Sequence, residues 1–460
     1  GVEDNLTFKG GLTTNVAGDA FINIAGTVQT EGTALSVGDA DSPLYLRGAT
    51  TLSTGIGGGN LTISSVQQGN HALVARADTG AVVVEGDIGF DSAIGAVDLR
   101  GATIAINDVT TVGTQDYTAT TGITTNSTYT STNSAITFDG DVTIADATNG
   151  LSVDTGAGAG TITFTGTVNS ETGETNDLTL AAGTGSVDLQ GDAGGMTALG
   201  AFTLVSASQA DLAEVTAASL AVTADNIDLN DATYTASSGP LTLTGDVDLD
   251  LSAGTVALTT TDQALTVTGT IDDDSAGDSA LTLTTGTGSV DLQGDAGGTT
   301  ALGAFTLASA SQADLADVTA ASLAVTADNI DLNDATYTAT TGGVTFTGAV
   351  DLDAGAVTTT VDSSAGNGAI AFTSTVDDAA NDTALSLDAG TGTVTMDGAI
   401  GGTDGIGTFT VSAASQADLA AIEDAATIAV TAGNIDLNAA TYAASSGPLT
   451  LTGDVDLDLS

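Results

Sequence analysis

A segment of thirteen residues, GTGSVDLQGDAGG, occurs at 183–195 and returns without a change at 286–298. A looser copy, GTGTVTMDGAIGG, begins at Gly390, and TGAVVVEGDIG at 79–89 fits the same frame. A chain that repeats itself in this way is built from one structural unit, here of about 104 residues. The frame predicts a divergent first segment at 1–79, repeats at 80–184, 185–287 and 288–391, and a partial repeat at 392–460.

A shorter rhythm runs inside each unit. In LTLTGDVDLD from Leu241, apolar residues alternate with Thr and Asp, which is the pattern of a strand with one buried face. Such strands recur about every 20 residues between corners rich in Gly, Asn and Asp. The pattern predicts an all-β parallel β-solenoid, a right-handed β-helix of about 22 turns with five turns per repeat, whose turns stack about 4.8 Å apart into a rod.

The length of the unit leaves one alternative open. A period of about 104 residues also suits tandem β-sandwich domains of the immunoglobulin or cadherin type. The finer rhythm favours the solenoid. In it, Val187 and Leu189 of the opening segment face the core, Asp188 faces water, Gly183 and Gly185 form a corner, and the copies together form one charged stripe. Two sets of aromatic residues in phase with the repeat are expected as core plugs or in corner packing: Phe202, Phe305 and Phe409, and Tyr234, Tyr337 and Tyr442.

Charge narrows the classes of function. The formal net charge is -54, and all four Lys and Arg residues lie within the first hundred positions. Nucleic-acid binding requires basic patches, and anionic membranes attract basic segments, so neither partner is expected, nor is membrane insertion. Charge of this density requires neutralisation by cations from the solvent.

Calcium is a candidate partner because Asp outnumbers Glu by 51 to 7 and Ca²⁺ prefers carboxylate oxygens. The acidic corners keep their charge but not their spacing from copy to copy, which predicts diffuse binding of Ca²⁺ or Mg²⁺ and no required cofactor. The residues expected to take part are Asp246, Asp248, Asp250, Asp272, Asp273, Asp274, Asp278, Asp377 and Asp378.

Catalysis is not expected, because no nucleophile, base and orienting group recur in one distinct place. The single His71 has no metal-spaced neighbour and is interpreted as a surface or turn residue. Outward Thr pairs such as Thr282 and Thr284 leave an ice-binding Thr-ladder solenoid as a third reading, although Thr is also simply a good strand residue.

The phrases LTLTTGTGSVDLQGDAGG and LAVTADNIDLNDATYTA resemble the β-helical repeats of filamentous-haemagglutinin-type adhesins and of "beta strand repeat" proteins of bacterial surfaces. The resemblance covers most of the chain from about residue 72. It implies a secreted, elongated right-handed β-helix used for adhesion, surface coating or fibre formation, with no catalytic residues.

Together these observations predict an extracellular structural protein at the cell surface: a stiff acidic solenoid serving as a fibre, sheath or coat component. It would associate with itself, or with more of the same chain, end to end or laterally. The alternative is an adhesin stalk that binds a surface or a glycan. Its binding patch is expected in the divergent first segment, near Arg47, His71 and Arg76.

Overall fold

The computed structural model describes residues 5–14, 21–39, 42–145, 150–275, 277–355, 357–378 and 383–457. These residues form strands, turns and corners and contain no helix. The strands stack in parallel as a β-solenoid of about 19 turns, which confirms the predicted fold class and lies close to the expected turn count. The chain divides into two compact units, residues 1–227 and 228–460.

The strands of unit 1 are β1 (Asn5–Phe8), β2 (Leu12–Thr13), β3 (Ile22–Thr30), β4 (Leu35–Val37), β5 (Leu44–Ser53), β6 (Leu61–Ile63), β7 (Val66–Gln68), β8 (Leu73–Arg76), β9 (Ala81–Val84), β10 (Val97–Ala105), β11 (Val109–Thr110), β12 (Gln115–Thr125), β13 (Thr128–Thr130), β14 (Ile136–Asp139), β15 (Val142–Ile144), β16 (Leu151–Asp154), β17 (Ile162–Phe164), β18 (Val168–Ser170), β19 (Leu178–Ala181), β20 (Ser186–Leu189), β21 (Leu199–Ser206) and β22 (Gln209–Leu212). Strand β23 (Val215–Leu229) contains the boundary between the units.

The strands of unit 2 are β24 (Thr233–Ala236), β25 (Leu241–Leu249), β26 (Thr255–Thr260), β27 (Leu265–Val267), β28 (Ile271–Asp273), β29 (Ala280–Thr284), β30 (Ser289–Leu292), β31 (Leu302–Ser309), β32 (Gln312–Leu315), β33 (Val318–Leu332), β34 (Thr336–Ala339), β35 (Val344–Leu352), β36 (Thr358–Asp362), β37 (Ile370–Phe372), β38 (Val376–Asp377), β39 (Ala384–Asp388), β40 (Thr393–Met396), β41 (Ile406–Ala413), β42 (Gln416–Leu419), β43 (Ile422–Leu437), β44 (Tyr442–Ala444) and β45 (Leu449–Leu457).

Each turn of unit 2 has three sides, because every strand segment pairs with the one that follows three segments later. Side 1 runs through the first half of β25, then β27, β30, β32, the end of β33, the second half of β35 and β38. Side 2 runs through the second half of β25, β28, the start of β33, β34, β36, β39, β41, the middle of β43 and the first half of β45. Side 3 runs through β24, β26, β29, β31, the middle of β33, the first half of β35, β37, β40, β42, the end of β43 and the second half of β45.

Long strands are those that pass round a corner without a break. In β35 the corner lies at Gly348, whose φ is 133° and whose added Cβ would overlap the carbonyl oxygen of Ala327 on the preceding turn. Gly245 has a φ of 132° at the corresponding point of β25. Only glycine takes such a φ without strain at so close an approach of two turns, so the TG pair inside these strands marks a corner.

The repeat advances by slightly less than five turns. One repeat runs 103 residues, from Leu241 to Val344, and makes four full turns and two sides of a fifth. Leu241 therefore lies on side 1, whereas Val344 lies on side 3. Leu449, at the same phase of the next copy, lies on side 2. Equivalent residues of successive copies in this unit therefore face different directions.

The core is aliphatic with aromatic plugs, as the alternation predicts. Phe202, Phe305 and Phe409 are all 0% exposed. Val187 and Leu189 are buried while Asp188 between them reaches the surface, which confirms the predicted orientation of these three side chains. Burial of this kind stabilises by about 25 cal/mol for each Å² of apolar surface removed from water.

Unit 1 contains a cluster of stacked aromatic rings in its core. The rings of Tyr117, Phe138 and Phe164 stack on three consecutive turns, with centroids 5.1 and 4.7 Å apart, and Tyr129 meets the first two edge-on. The hydroxyl group of Tyr129 donates to the side-chain oxygen of Thr125 at 2.6 Å, so its polar end is satisfied in the core.

Candidate functional site

Carboxylates stacked in register are the main chemical feature of unit 2. Five Asp residues occupy the same outward position on consecutive turns of side 1, each paired with the next. We call this row the Asp ladder: Asp291, Asp314, Asp331, Asp351 and Asp377. All five side chains are half-buried, because each lies between the side chains of the neighbouring turns. Adjacent turns are about 4.8 Å apart, so like charges meet at the shortest separation a sheet allows.

The ladder does not continue along side 1 into the next copy. The corresponding row there begins at Thr395 and holds Asp418, Asp436 and Asp456, and it lies on side 3. The pair Asp248 and Asp272 lies on side 2. The expectation of one charged stripe is therefore wrong for this unit, because the repeat falls one side short of five turns and rotates each copy's row to another side.

The residues predicted to bind calcium fall into three structural roles. Asp246 and Asp272 face outward and hold the next turn, since their Oδ1 atoms accept backbone N–H groups: that of Thr270 at 3.2 Å for Asp246, and those of Thr299 and Thr300 at 2.8 and 3.0 Å for Asp272. Asp377 does the same for the N–H of Thr403 at 2.8 Å. These carboxylates are inter-turn acceptors.

Two of the predicted residues are buried. Asp273 is 2% exposed, and its Oδ2 accepts the N–H groups of Asp278 and Ser279 at 2.8 and 2.9 Å. Asp378, also 2% exposed, accepts the N–H of Thr383. Each closes its corner loop from inside, so neither acts as a surface ligand.

The remaining predicted residues are partly brought together. Asp250, Asp274 and Asp278 line one small cavity of about 40 Å³ together with the buried Asp273. Asp248 is not among them and lies in register with Asp272. The cavity unites four of the nine predicted residues, and the other five are spread over two sides of the unit.

A tighter carboxylate group was missed in the sequence. Asp295, Asp317 and Asp334 each place a carboxylate oxygen within 4.8 Å of the other two, and all three are solvent-accessible. Partial burial, followed by the charges of Asp317, Asp334 and Asp272, raises the pKa of Asp295. The N–H and hydroxyl of Thr336 donate to the two oxygens of Asp317 at 2.6 and 3.0 Å.

The internal repeat shows that this group is not required by the fold. The corresponding residues of the next copy are Ala399, Ala421 and Ala439, and the turns there are of the same kind. The three carboxylates are separated by 22 and 17 residues, a spacing set by turn lengths that the sequence alone did not supply.

Unit 1 holds a similar but smaller contact. Asp87 and Asp108 precede Ile88 and Val109, which pair across adjacent turns, and the N–H of Thr128 donates to Asp108 Oδ1 at 2.8 Å. Burial and the nearby charge of Asp108 raise the pKa of Asp87. The effect is the same as at Asp295, since ionised carboxyls in register disfavour each other.

Arg47 and Arg76, the basic residues of the predicted binding patch, lie in two different places. Arg47 Nε donates to Asn23 Oδ1 at 2.6 Å, and its guanidinium lies 5.6 Å from the ring centre of Tyr45, which Phe21 meets edge-on at 4.2 Å. Arg76 instead lies beside Asp98, with a nitrogen to oxygen distance of 3.2 Å. His71 is exposed. Sequence reasoning placed these residues in one segment but did not separate the two surfaces.

Thr does not form long rows at the predicted pairs. Thr282 has Thr306 on one side and Ala257 on the other, and Thr345 lies between Ala324 and Ala371. An ordered Thr surface would need several such rows side by side, so this arrangement does not favour ice binding.

Comparison with family models, with curated proteins and with solved structures found no match. Among the described residues there is no helix long and apolar enough to cross a membrane.

Proposed function

We propose that the chain is a structural protein of the extracellular surface, with the role that its resemblance to filamentous-haemagglutinin-type and "beta strand repeat" proteins implies. The observation that carries the proposal is the construction of unit 2, where three parallel sheets enclose an aliphatic core and expose rows of Asp and Thr. Cross-turn hydrogen bonds resist deformation at every side, and outward charge keeps the sheets from associating by their faces.

The second part of the proposal is that cations from the solvent neutralise the acidic surface. No Lys or Arg follows Arg100, so the carboxylates of unit 2 have no basic side chain to pair with. We propose that Na⁺, Mg²⁺ and Ca²⁺ gather diffusely along the acidic rows and screen their repulsion. The chain should then melt at a higher temperature as salt is raised from about 10 to 150 mM, with Mg²⁺ and Ca²⁺ acting equally at lower concentration. Melting that is independent of both salts would contradict diffuse screening.

The partner that we propose is a further solenoid turn, from a second copy or from more of the same chain. Each turn of unit 2 pairs in parallel with the turn before it, as β43 does with β41 and β42. Strands of this kind pair readily with a further strand at an open edge. Analytical ultracentrifugation over a range of concentrations would detect self-association, and a monomer at every concentration would exclude the second copy as the partner.

Location can be tested directly. An antibody to the purified chain should label intact cells of the source organism, and a protease added outside should remove the signal. Labelling that appears only after the cells are permeabilised would contradict an extracellular role, whatever the structure of the chain.

An adhesin is the second candidate, and the surface around Arg47 favours it. An exposed Phe21, the ring of Tyr45 and a guanidinium held by Asn23 offer stacking and hydrogen bonds together, which is the chemistry that sugars use. A glycan array with the full chain would test this. Binding that is lost in Arg47→Ala and kept in Arg76→Ala would support the adhesin, and no binding would leave the structural role alone.

A further inference from the structure

Two neighbouring carboxylates of the Asp ladder are held by the same amide group. The side-chain nitrogen of Gln312 donates to Asp314 Oδ1 at 2.9 Å and to Asp331 Oδ2 at 2.7 Å. The nitrogen of Asn329 donates to Asp331 Oδ1 at 2.8 Å and to the oxygen of Gln312 at 3.2 Å. The two amides thus fix both carboxyl groups and bring them close together on adjacent turns.

Asp314 and Asp331 are direct neighbours in register on adjacent turns, and the one Gln312 nitrogen reaches a carboxylate oxygen of each. Two carboxylates are acceptors only, so a hydrogen bond between them exists only when one carries a proton. Two ionised carboxylates in this register repel each other, and a single proton shared between them would replace that repulsion with a hydrogen bond.

Among the described residues, every other charged group that faces the pair is also acidic. Asp291 lies on the turn before, and Asp351 and then Asp353 lie on the turn after. No basic residue occurs after Arg100, so none is available to neutralise the row. Burial, the hydrogen bond with Asp314 and the charges of Asp314, Asp351 and Asp353 together raise the pKa of Asp331 to about 6.

The arrangement occurs a second time, on side 3. Gln416 donates to Asp418 at 2.7 Å and to Asp436 at 2.9 Å, and Asn434 donates to Asp436 at 2.6 Å. The hydrogen bond with Asp418, followed by burial, raises the pKa of Asp436. On the turn before this pair, Thr395 takes the place that Asp291 has in the Asp ladder. On the turn after it, Asp456 lies next to Asp436.

We propose that Asp314 with Asp331, and Asp418 with Asp436, are proton-sharing pairs that make the folded solenoid bind protons in mildly acidic solution and become more stable there. The direction follows from linkage: a carboxyl that titrates higher when folded than when unfolded binds more protons in the folded state between those two values. Stability from this source therefore rises as the pH falls from about 7 to about 4. The device is independent of where the chain is located and of what it binds.

The first test is a titration of the full chain labelled with ¹³C at the Asp carboxyl carbon, followed by NMR from pH 8 to pH 3. A resonance assigned to Asp331 by its loss in Asp331→Asn should titrate near pH 6, about two units above an ordinary Asp. The titration is measured on the unaltered chain, and the variant serves only to assign the resonance. Titration of every Asp carboxyl below pH 5 would overturn the proposal.

The second test compares melting temperatures. Asp331→Thr removes one carboxyl group of the pair, so no proton can be shared. Thr is chosen because the chain itself has Thr395 in the corresponding row. This variant should melt above the unaltered chain at pH 8, and the difference should shrink or reverse at pH 5. Asp404→Asn, which removes one exposed charge from a corner, is the control and should keep the pH dependence of the unaltered chain. Equal pH dependence in all three would overturn the proposal.

Discussion

Leu241 and Leu449 occupy the same position of a segment that occurs twice without change, yet they lie on different sides of the solenoid. Leu241 pairs with Leu265 on side 1, and Leu449 pairs with Ile428 on side 2. The repeat in the sequence and the turn of the solenoid are therefore out of step by one side per copy. Because of this offset, the acidic row of each copy lies on a different side. No single side of unit 2 therefore carries all of the charge.

Engineered cysteines test the register, because the chain contains none of its own. Thr282 and Thr306 are direct neighbours on side 3, so Thr282→Cys with Thr306→Cys should form a disulfide on mild oxidation. Thr266 lies on side 1, so a Cys there combined with Thr306→Cys should stay reduced. Non-reducing electrophoresis separates the two forms. A disulfide between positions 266 and 306, together with none between positions 282 and 306, would contradict the register.

The aromatic plugs should carry a large share of local stability. Phe305 is fully buried, so Phe305→Ala should lower the free energy of unfolding by about 3–5 kcal/mol. Phe90 is 62% exposed, and Phe90→Ala should change it by less than about 0.5 kcal/mol. Urea denaturation followed by circular dichroism measures both. Equal effects of the two variants would be inconsistent with the burial described above.

Corner residues with a positive φ should be sensitive to side-chain removal. Asn367 has a φ of 56°, and its Oδ1 accepts the N–H and the hydroxyl of Thr391, each at 2.9 Å. Asn367→Ala loses these bonds and keeps the strained φ, so it should lower the unfolding free energy by about 2 kcal/mol. Asn367→Gly loses the same bonds without the strain and should lose less. If the glycine variant is the less stable of the two, the account of this corner is wrong.

Asp262 takes the same place one copy earlier and adds a charge. Hydrogen bonds from the N–H and then the hydroxyl of Thr287 lower its pKa. A lowered pKa stabilises the folded state above about pH 4 and this contribution is lost as the pH falls through the lowered value. Asp262→Asn keeps an acceptor, as Asn367 does. The melting temperature of the unaltered chain relative to this variant should be constant above pH 5 and should fall below pH 4. A constant difference down to pH 2 would contradict the role assigned to the ionised carboxylate.

The alternation of apolar and polar residues was enough to predict which side chains are buried. The number of sides in each turn depends on turn length and could not be predicted. The alternation of Leu241, Leu243, Val247 and Leu249 predicts which side chains are buried, and all four are in the core. The three sides could not be counted because corners inside long strands, as at Gly348, carry no break in the apolar pattern.

Site residues were harder for the same reason. Asp295, Asp317 and Asp334 meet because each lies just before a segment of side 2 on consecutive turns, and nothing near each one in sequence marks it. Asp273 and Asp378 were predicted as exposed ligands from their acidic surroundings. Their carboxylates instead lie inside the corner, where backbone N–H groups satisfy them. Composition identified the acidic character correctly, but local sequence does not reveal which carboxylates the fold itself uses.

The most direct measurement of the central claim is a cryo-EM map of the chain that resolves individual strands. We expect parallel strands about 4.8 Å apart on three sides of each turn, with the Asp ladder on one side and the row from Asp418 to Asp456 on another. A map that shows separate antiparallel sandwiches, one for each unit of about 104 residues, would contradict the account.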